Sequence, residues 1–210
     1  MTTPKEGISI VVPVKNAEKF ILRSLRDTIA NADYIDEIIY VDDNSTDNTY
    51  SIIKSASKEF PVIRLLKNNG EGIADALNFA ISQAKNNWIA RFDVDDIYPK
   101  ERLLEQRQLL KSEVVAVFCD YELIGEKNIK LGKILSPIFC PAVLLSLINS
   151  QRTPHPGALF SKSAFYLAGG YLKKDFPAED LSLWFRLSKF GELVSIPKIL
   201  LKDRKSTRLN

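Results

Sequence analysis

The sequence is poor in the residues that build metal clusters and covalent staples. Two cysteines, Cys119 and Cys140, and one histidine, His155, occur in 210 residues. They form no CxxC pair and no Cys/His cluster, which excludes a zinc ribbon and a disulfide scaffold and leaves two reduced thiols as the expectation. Phosphate-binding glycine loops are lacking too. Pro13-Val14-Lys15-Asn16 follows the first apolar run where a dinucleotide fingerprint would need GxGxxG. Lys67-Asn68-Asn69-Gly70-Glu71-Gly72 is glycine-rich but matches neither that fingerprint nor the P-loop. Dehydrogenase and P-loop NTPase chemistry drop out on that ground. No apolar run reaches the ~20 residues of a spanning helix. The nearest, Ile134 to Ile148, is interrupted by Pro137 and Pro141. The start, Met1 to Gly7, has no apolar signal core, so a cytoplasmic protein is expected. Net charge is +3, from 29 basic and 26 acidic residues, and no basic run carries interleaved aromatics. Nucleic acid is therefore not an expected partner.

What is present reads as an ordinary globular domain, 45% apolar and 26% charged. The first half alternates between two periodicities. Ile8 to Val12, Glu37 to Val41, Val62 to Leu66, Trp88 to Phe92 and Val114 to Phe118 are short apolar runs of the kind that form buried parallel strands. Between them lie helical spacings: Phe20, Ile21, Leu25 and Ile29, then Thr46 to Glu59, Gly72 to Ala84 and Lys100 to Leu110. Strand–helix–strand units with short connections predict right-handed crossovers and a mainly parallel α/β sheet. Beyond residue 120 the alternation decays. A hairpin or loop is expected over Gly125 to Gly132, and a helix through Val143, Leu144, Leu147 and Ile148. A turn follows at Thr153 to Gly157, then a short strand from Ala158 to Phe160 and a helix from Ala178 to Phe190. One domain over residues 1–202 is expected, with 203–210 a polar tail that is disordered or foreign to the domain.

Ligands of open α/β sheets bind beyond the carboxyl ends of the strands, which directs attention to the residues just after each one. Asp93-Val94-Asp95-Asp96 crowds three carboxylates into four residues. Their repulsion is relieved by a hard divalent cation, Mg²⁺ or Mn²⁺, which commonly takes one or two carboxylates plus substrate phosphate oxygens. A helix cap ahead of Pro99 is the competing use, above all for Asp96. Asp42-Asp43-Asn44-Ser45 holds turn and cap residues, but an adjacent Asp pair exceeds what a cap needs and could accept from a base or ribose. Glu179-Asp180 opens a helix, where acids suit the dipole or serve as a general base. His155 could orient a phosphate, ligate a metal, or be structural.

Taken together, these segments resemble the family 2 glycosyltransferases. Val11 to Asn16 looks like the family's opening strand and loop, and Ile38 to Thr49 is similar to its "VVDDGSTDGT" segment. Asn69-Gly70 with Ala74, Ala76, Leu77 and Asn78 looks like its "NxG…AxN" region. Asp93 to Asp96 matches its DxD motif, and Ala178 to Leu187 resembles "EDxxLWxRL". The order holds from about Ile8 to Leu200. The resemblance implies a GT-A fold and an inverting transfer from a nucleotide-sugar, UDP-linked by expectation, to a saccharide or lipid-linked acceptor in cell-surface polysaccharide or glycolipid synthesis. By position it implies that Asp42 contacts the base while Asp43 and Pro13 to Lys15, with Asn16 beside them, shape that pocket. Asn69, Gly70 and Asn78 join the substrate site, to which His155, on its own chemistry, is added as a candidate. Asp93 faces the ribose or the metal, Asp95 ligates Mn²⁺ or Mg²⁺, and Asp180, or Glu179, is the base. Ser182 stands where many relatives carry another acid. The chain also stops soon after Lys202, where relatives usually continue. A lipid-linked acceptor would need a peripheral contact at the inner membrane face. A sugar nucleotidylyltransferase and a truncated, non-catalytic nucleotide-sugar-binding domain are the alternatives.

Overall fold

The computed structural model describes residues 6–136 and 155–205. Its first part alternates as the apolar runs predict: β1 (Ile8–Val14), α1 (Glu18–Ile29), β2 (Glu37–Asp42), α2 (Thr49–Glu59), β3 (Ile63–Lys67), α3 (Gly72–Gln83), β4 (Trp88–Arg91), α4 (Arg102–Arg107) and β5 (Val114–Ile124). Then come β6 (Lys130–Ile134), β7 (Leu159–Ser161), α5 (Lys162–Leu167), α6 (Glu179–Leu187) and β8 (Glu192–Arg204). The described strands form one sheet in the order β3-β2-β1-β4-β7-β5-β6, with β8 beside β5. Strands β3, β2, β1 and β4 are parallel, whereas β7 runs antiparallel to both β4 and β5.

Alternate residues of a strand point to opposite faces, and β1 shows why its run is apolar throughout. Ile10 and Val12 enter the core shared with Ile21, Leu25 and Leu103, while Val11 enters the other, shared with Leu77, Ile81, Phe160 and Trp184. Each such fully buried side chain contributes about 1.5–3 kcal/mol. The chain moves outward from β1 to β2 and β3, then returns to place β4 on the other side of β1. That reversal opens a crevice beyond the carboxyl ends of β1 and β4, the usual ligand position in open α/β sheets.

Several boundaries differ from the sequence pattern, each for a local reason. Helix α2 begins at Thr49 rather than Thr46, because Thr46 is tied down by Asn16 and the Thr49 N–H is capped by Asp47 Oδ1 at 2.9 Å. Lys100 to Leu110 is helical over Arg102–Arg107, with i→i+3 turns at Pro99 and at Leu109–Leu110. Strand β5 continues past Phe118 to Ile124, since β6 and β8 both pair with its second half. The polar stretch from Gly125 is a hairpin turn with Lys127 and Asn128 at positive φ. Asp203 and Arg204 belong to β8, opposite Leu123 and Ile124, so the folded chain runs past the expected boundary at 202. The expected helix through Val143 to Ile148 lies outside the described residues. Among the described residues no helix is long and apolar enough to cross a membrane. Cys119 is buried in the core, which pushes its thiol up to about 11.

Candidate active site

Four loops leave the carboxyl edge of the parallel strands. The loops after β1 and β2 are knitted together. Lys15 Nζ lies 3.1 Å from Asp43 Oδ2, and Asn68 Nδ2 donates to Asp43 Oδ1 at 2.7 Å. Asp42 Oδ2 accepts the Ser45 N–H at 3.1 Å, while its buried Oδ1 has no partner. An unsatisfied buried acceptor costs about 1–3 kcal/mol. Asp42 also lines a cavity of about 360 Å³ with Asn44, Ser45, Tyr50 and Lys67. The cavity offers an acceptor, a hydroxyl, an aromatic ring and a cation, a set that suits a nucleoside. Pro13 and Val14 lie within β1, with Val14 buried.

Some motif residues are already spent inside the protein. Asn16, at φ 49°, accepts the Thr46 N–H at 2.8 Å and its hydroxyl at 3.3 Å, locking one loop to the other. Asn78, expected at the substrate site, is taken up by the chain instead. Its Nδ2 donates to the Tyr171 carbonyl at 2.9 Å and its Oδ1 accepts the Tyr171 N–H at 3.0 Å. Gly70 is a packing glycine: a Cβ there would stand 2.2 Å from Asp75 Oδ2. That carboxylate holds the Glu71 N–H at 2.9 Å and Lys173 at 2.6 Å. Asn69 beside it is exposed.

The acids after β4 divide their work. Asp93 Oδ1 takes a 2.6 Å bond from Nη2 of Arg91, a fully buried residue of β4. Asp96 is buried and accepts the Arg204 N–H at 2.7 Å. It therefore fastens β8 rather than capping α4, whose N-terminal flank is Glu101. The Asp93 N–H donates to Tyr98 Oη at 2.6 Å, closing the loop on itself. Asp95 remains. Burial and then the Asp93 charge raise its carboxyl above the ordinary range, against the nearby Arg204 charge.

Across the crevice stands the start of α6. Burial, then the neighbouring Glu179 charge, raise the Asp180 carboxyl, against the Leu181 N–H that donates to Oδ1 at 2.8 Å. Glu179 is buried with Oε2 unpartnered. Between this helix and the acidic loop lie His155 and Tyr171, joined Nε2 to Oη at 2.7 Å. His155 packs between the rings of Tyr171 and Trp184, at 5.4 and 6.1 Å between centroids. Burial, then the Arg91 charge, push its pKa well below the ordinary value, so it is neutral at pH 7. Arg91 is the hub. It pairs with Asp93 and interacts electrostatically with His155, Tyr171 and Asp180. The acidic loop and the Glu179-Asp180 helix thus face a single buried cation.

The family profile described as Glycosyl transferase family 2 matches residues 9–166. The chain belongs to glycosyl transferase family 2. Relatives are similar over nearly all of it. Chondroitin synthase of Pasteurella multocida is 28% identical over 194 residues, covering 91% of this chain and 20% of its own length. An uncharacterized glycosyltransferase of Haemophilus influenzae is 30% identical over 216 residues, covering 94% and 65% respectively. This chain thus spans a fifth of the synthase and just under two thirds of the second protein. Among solved structures, the mannosyltransferase PcManGT of Pyrobaculum calidifontis, in complex with GDP-Man and Mn²⁺, aligns with a TM-score of 0.77 at 20% identity. It covers 99% of this chain and 59% of its own. S. aureus TarS 1-349 in complex with UDP-GlcNAc aligns at 0.76 and 20% identity, covering 95% and 59%. The fold is the GT-A fold of nucleotide-sugar glycosyltransferases.

For a family 2 domain the donor set here suits a divalent cation. Among the described residues no group of three or more His, Cys, Asp or Glu is arranged to hold a metal. Mg²⁺ and Mn²⁺ need no such cage, because one or two carboxylates and the substrate's phosphates suffice. Asp95, acidic-side crowded and raised in pKa, and Asp93 beside it meet that requirement. His155 is engaged by Tyr171 and is poorly suited to join them. Sequence reasoning missed Arg91, Tyr171 and Arg204. Arg91 carried a signal, a charge breaking an otherwise apolar strand, while Tyr171 and Arg204 sit in stretches without periodicity.

Proposed function

We propose that this domain transfers a sugar from a nucleotide-diphosphate donor to an acceptor hydroxyl with inversion, Asp180 serving as the base. The observation that supports the reading is Arg91, a buried cation that is ion-paired with Asp93 and whose charge also reaches Asp180 at the start of α6. Asp42, with its unpartnered Oδ1, takes a donor hydrogen bond from the base or ribose, and Asp43 is braced by Lys15 and Asn68 beneath it. Asp95, with Asp93, would hold Mn²⁺ or Mg²⁺, which supplies Lewis-acid stabilisation of the charge on the leaving diphosphate. Asp180 removes the proton of the acceptor hydroxyl as that oxygen bonds to the anomeric carbon and the bond to the diphosphate oxygen breaks. Its raised pKa makes it the stronger base for that transfer. Glu179 flanks it as a second acid. A single displacement from the face opposite the leaving group inverts the anomeric centre.

The relatives' names, chondroitin synthase and hyaluronan synthase, support a saccharide acceptor and synthesis of a polysaccharide or glycolipid. The UDP-GlcNAc and GDP-Man complexes of similar folds support a nucleotide-diphosphate donor, for which a UDP-sugar is our first choice. A lipid-linked acceptor would bring the protein to the cytoplasmic membrane face as a peripheral visitor. The test is turnover of UDP- and GDP-sugars with Mn²⁺ by wild type, Asp95→Ala and Asp180→Asn. Asp180→Asn should bind donor normally and lose about 10²–10⁴ in kcat, while Asp95→Ala should lose metal-dependent donor binding. Full turnover by Asp180→Asn removes it as the base. Absence of donor binding in wild type refutes the whole reading.

A further inference from the structure

Arg204 closes β8 between the acidic loop and the β5–β6 hairpin, and each nitrogen of its guanidinium donates to one or the other. Its backbone N–H donates to Asp96 Oδ1 at 2.7 Å, and its Nε to the Asp95 carbonyl at 3.0 Å. Nη1 donates to the Gly125 carbonyl at 3.0 Å and Nη2 to Asn128 Oδ1 at 2.5 Å, anchoring the guanidinium in the β5–β6 hairpin. From α1, Arg23 Nη2 donates to the same Asp95 carbonyl at 2.5 Å. Both guanidiniums stand over the Phe20 ring, 5.5 and 5.6 Å from its centroid. Two cations meeting on one neutral carbonyl is an arrangement that like-charge repulsion opposes. Neither makes a side-chain ion pair with Asp95, although both feel the charge of its carboxylate. What they fix is the peptide plane, and with it the direction from which the Asp95 side chain leaves the backbone.

We infer that Arg204 is a positioning residue for Asp95, gripping the Asp95 peptide from behind together with Arg23 so that the carboxylate is presented to a divalent cation. The inference rests on the proposed function, in which Asp95 is the principal metal ligand. Without that grip, the mutual repulsion of Asp93, Asp95 and Asp96 acts on a loop whose backbone can turn, and the ligand is lost from its place. Groups that orient a metal ligand from behind characteristically cost 10–100-fold in metal affinity when removed.

The test measures Mn²⁺ uptake in the presence of UDP or GDP, by the electron paramagnetic resonance signal of free Mn²⁺. Wild type, Arg204→Ala, Arg204→Lys and Asn128→Gly are compared, with melting midpoint and donor turnover recorded on the same samples. Arg204→Ala should bind Mn²⁺ about tenfold or more weakly and shift the Mn²⁺ needed for half-maximal turnover by the same factor. It should regain near wild-type kcat when Mn²⁺ is saturating. Arg204→Lys keeps one donor for the Asp95 carbonyl and should fall between. Asn128→Gly keeps the positive φ and both bonds to the Asp95 carbonyl but loses one hairpin anchor, and should weaken Mn²⁺ binding less than Arg204→Ala. Unchanged Mn²⁺ binding in Arg204→Ala overturns the inference, as does a lower melting midpoint and kcat with no shift in Mn²⁺ half-saturation. If Arg204→Ala does not fold, Arg204→Lys carries the test, with a smaller loss of Mn²⁺ affinity expected and the same overturning result. Wild type that takes up no Mn²⁺ with either nucleotide refutes the proposed function and the inference with it. Uptake by wild type matched by the variants refutes the inference alone.

Discussion

At the scale of single residues, neighbours of identical chemistry do different work. Asp93 pairs with Arg91, Asp96 fastens β8, and Asp95 is left crowded and raised in pKa. The sequence marks the cluster but not the division, because the division depends on cations that arrive from β4, α1 and β8. Asn16 and Asn78 teach the same point from the other side. Their places in the motifs were legible, but an amide's partner is settled by which backbone lies within 3 Å, and that is a tertiary fact. His155 permits a prediction here. Burial and Arg91 hold its pKa well below 6.5, so below about pH 6.5 the unfolded chain binds a proton that the folded chain refuses. Such a group makes stability rise with pH and fall on acidification, by at most about 1.4 kcal/mol per pH unit. The raised carboxyls of Asp95 and Asp180 act with the opposite sign, so the comparison must be between variants. Melting midpoints measured from pH 7 to pH 5 should decline less steeply in His155→Gln than in wild type. Parallel profiles would mean that His155 is protonated in the fold.

At the scale of elements, the best-read parts were those whose own side chains declare a period. Strands β1 to β4 and helices α1 to α3 each bury a face, or both faces, written in consecutive residues. Strand β8 escaped notice because Pro197, Lys198, Lys202 and Asp203 interrupt its apolar residues, and its pairing with β5 shifts register three times. Its place is dictated by β5, not by its own pattern. Helix α6 was legible because Leu183, Trp184 and Leu187 bury one side, and that side also aims Asp180. Trp184 is fully buried and meets Phe118 edge-on at 5.0 Å and Phe160 at 5.8 Å. Trp184→Ala should cost about 3–5 kcal/mol, read as a lower urea midpoint at unchanged slope. Since the same ring backs His155, donor turnover should fall in those molecules that remain folded. Retention of both stability and turnover would show that α6 is held from elsewhere.

At the scale of the whole molecule, the return of the chain from β3 to β4 creates the crevice, and the acids line its two walls. Those acids come from three segments, Asp42-Asp43 after β2, Asp93 to Asp96 after β4 and Glu179-Asp180 at the start of α6. A nucleotide and a divalent cation should therefore stabilise the fold jointly. At 100-fold excess over its dissociation constant, a ligand confined to the folded state adds about 2.7 kcal/mol. Thermal melts of wild type should rise with UDP or GDP plus Mn²⁺, rise little with either alone, and return to baseline on adding a chelator. An equal rise with nucleotide alone would argue for a metal-independent donor site. The grip of Arg204 on the acidic loop has a further consequence, which belongs to translation. Arg204 and Asp96 are separated by 108 positions. At bacterial or eukaryotic ribosome speeds of about 5–20 residues per second, that interval lasts about 5–20 s. During it β1 to β4 can pair on the ribosome while the acids after β4 are still unfastened. A nascent chain stalled short of Arg204 should be compact yet open to proteolytic nicking at Asp93 to Asp96, and one stalled well beyond it should be closed.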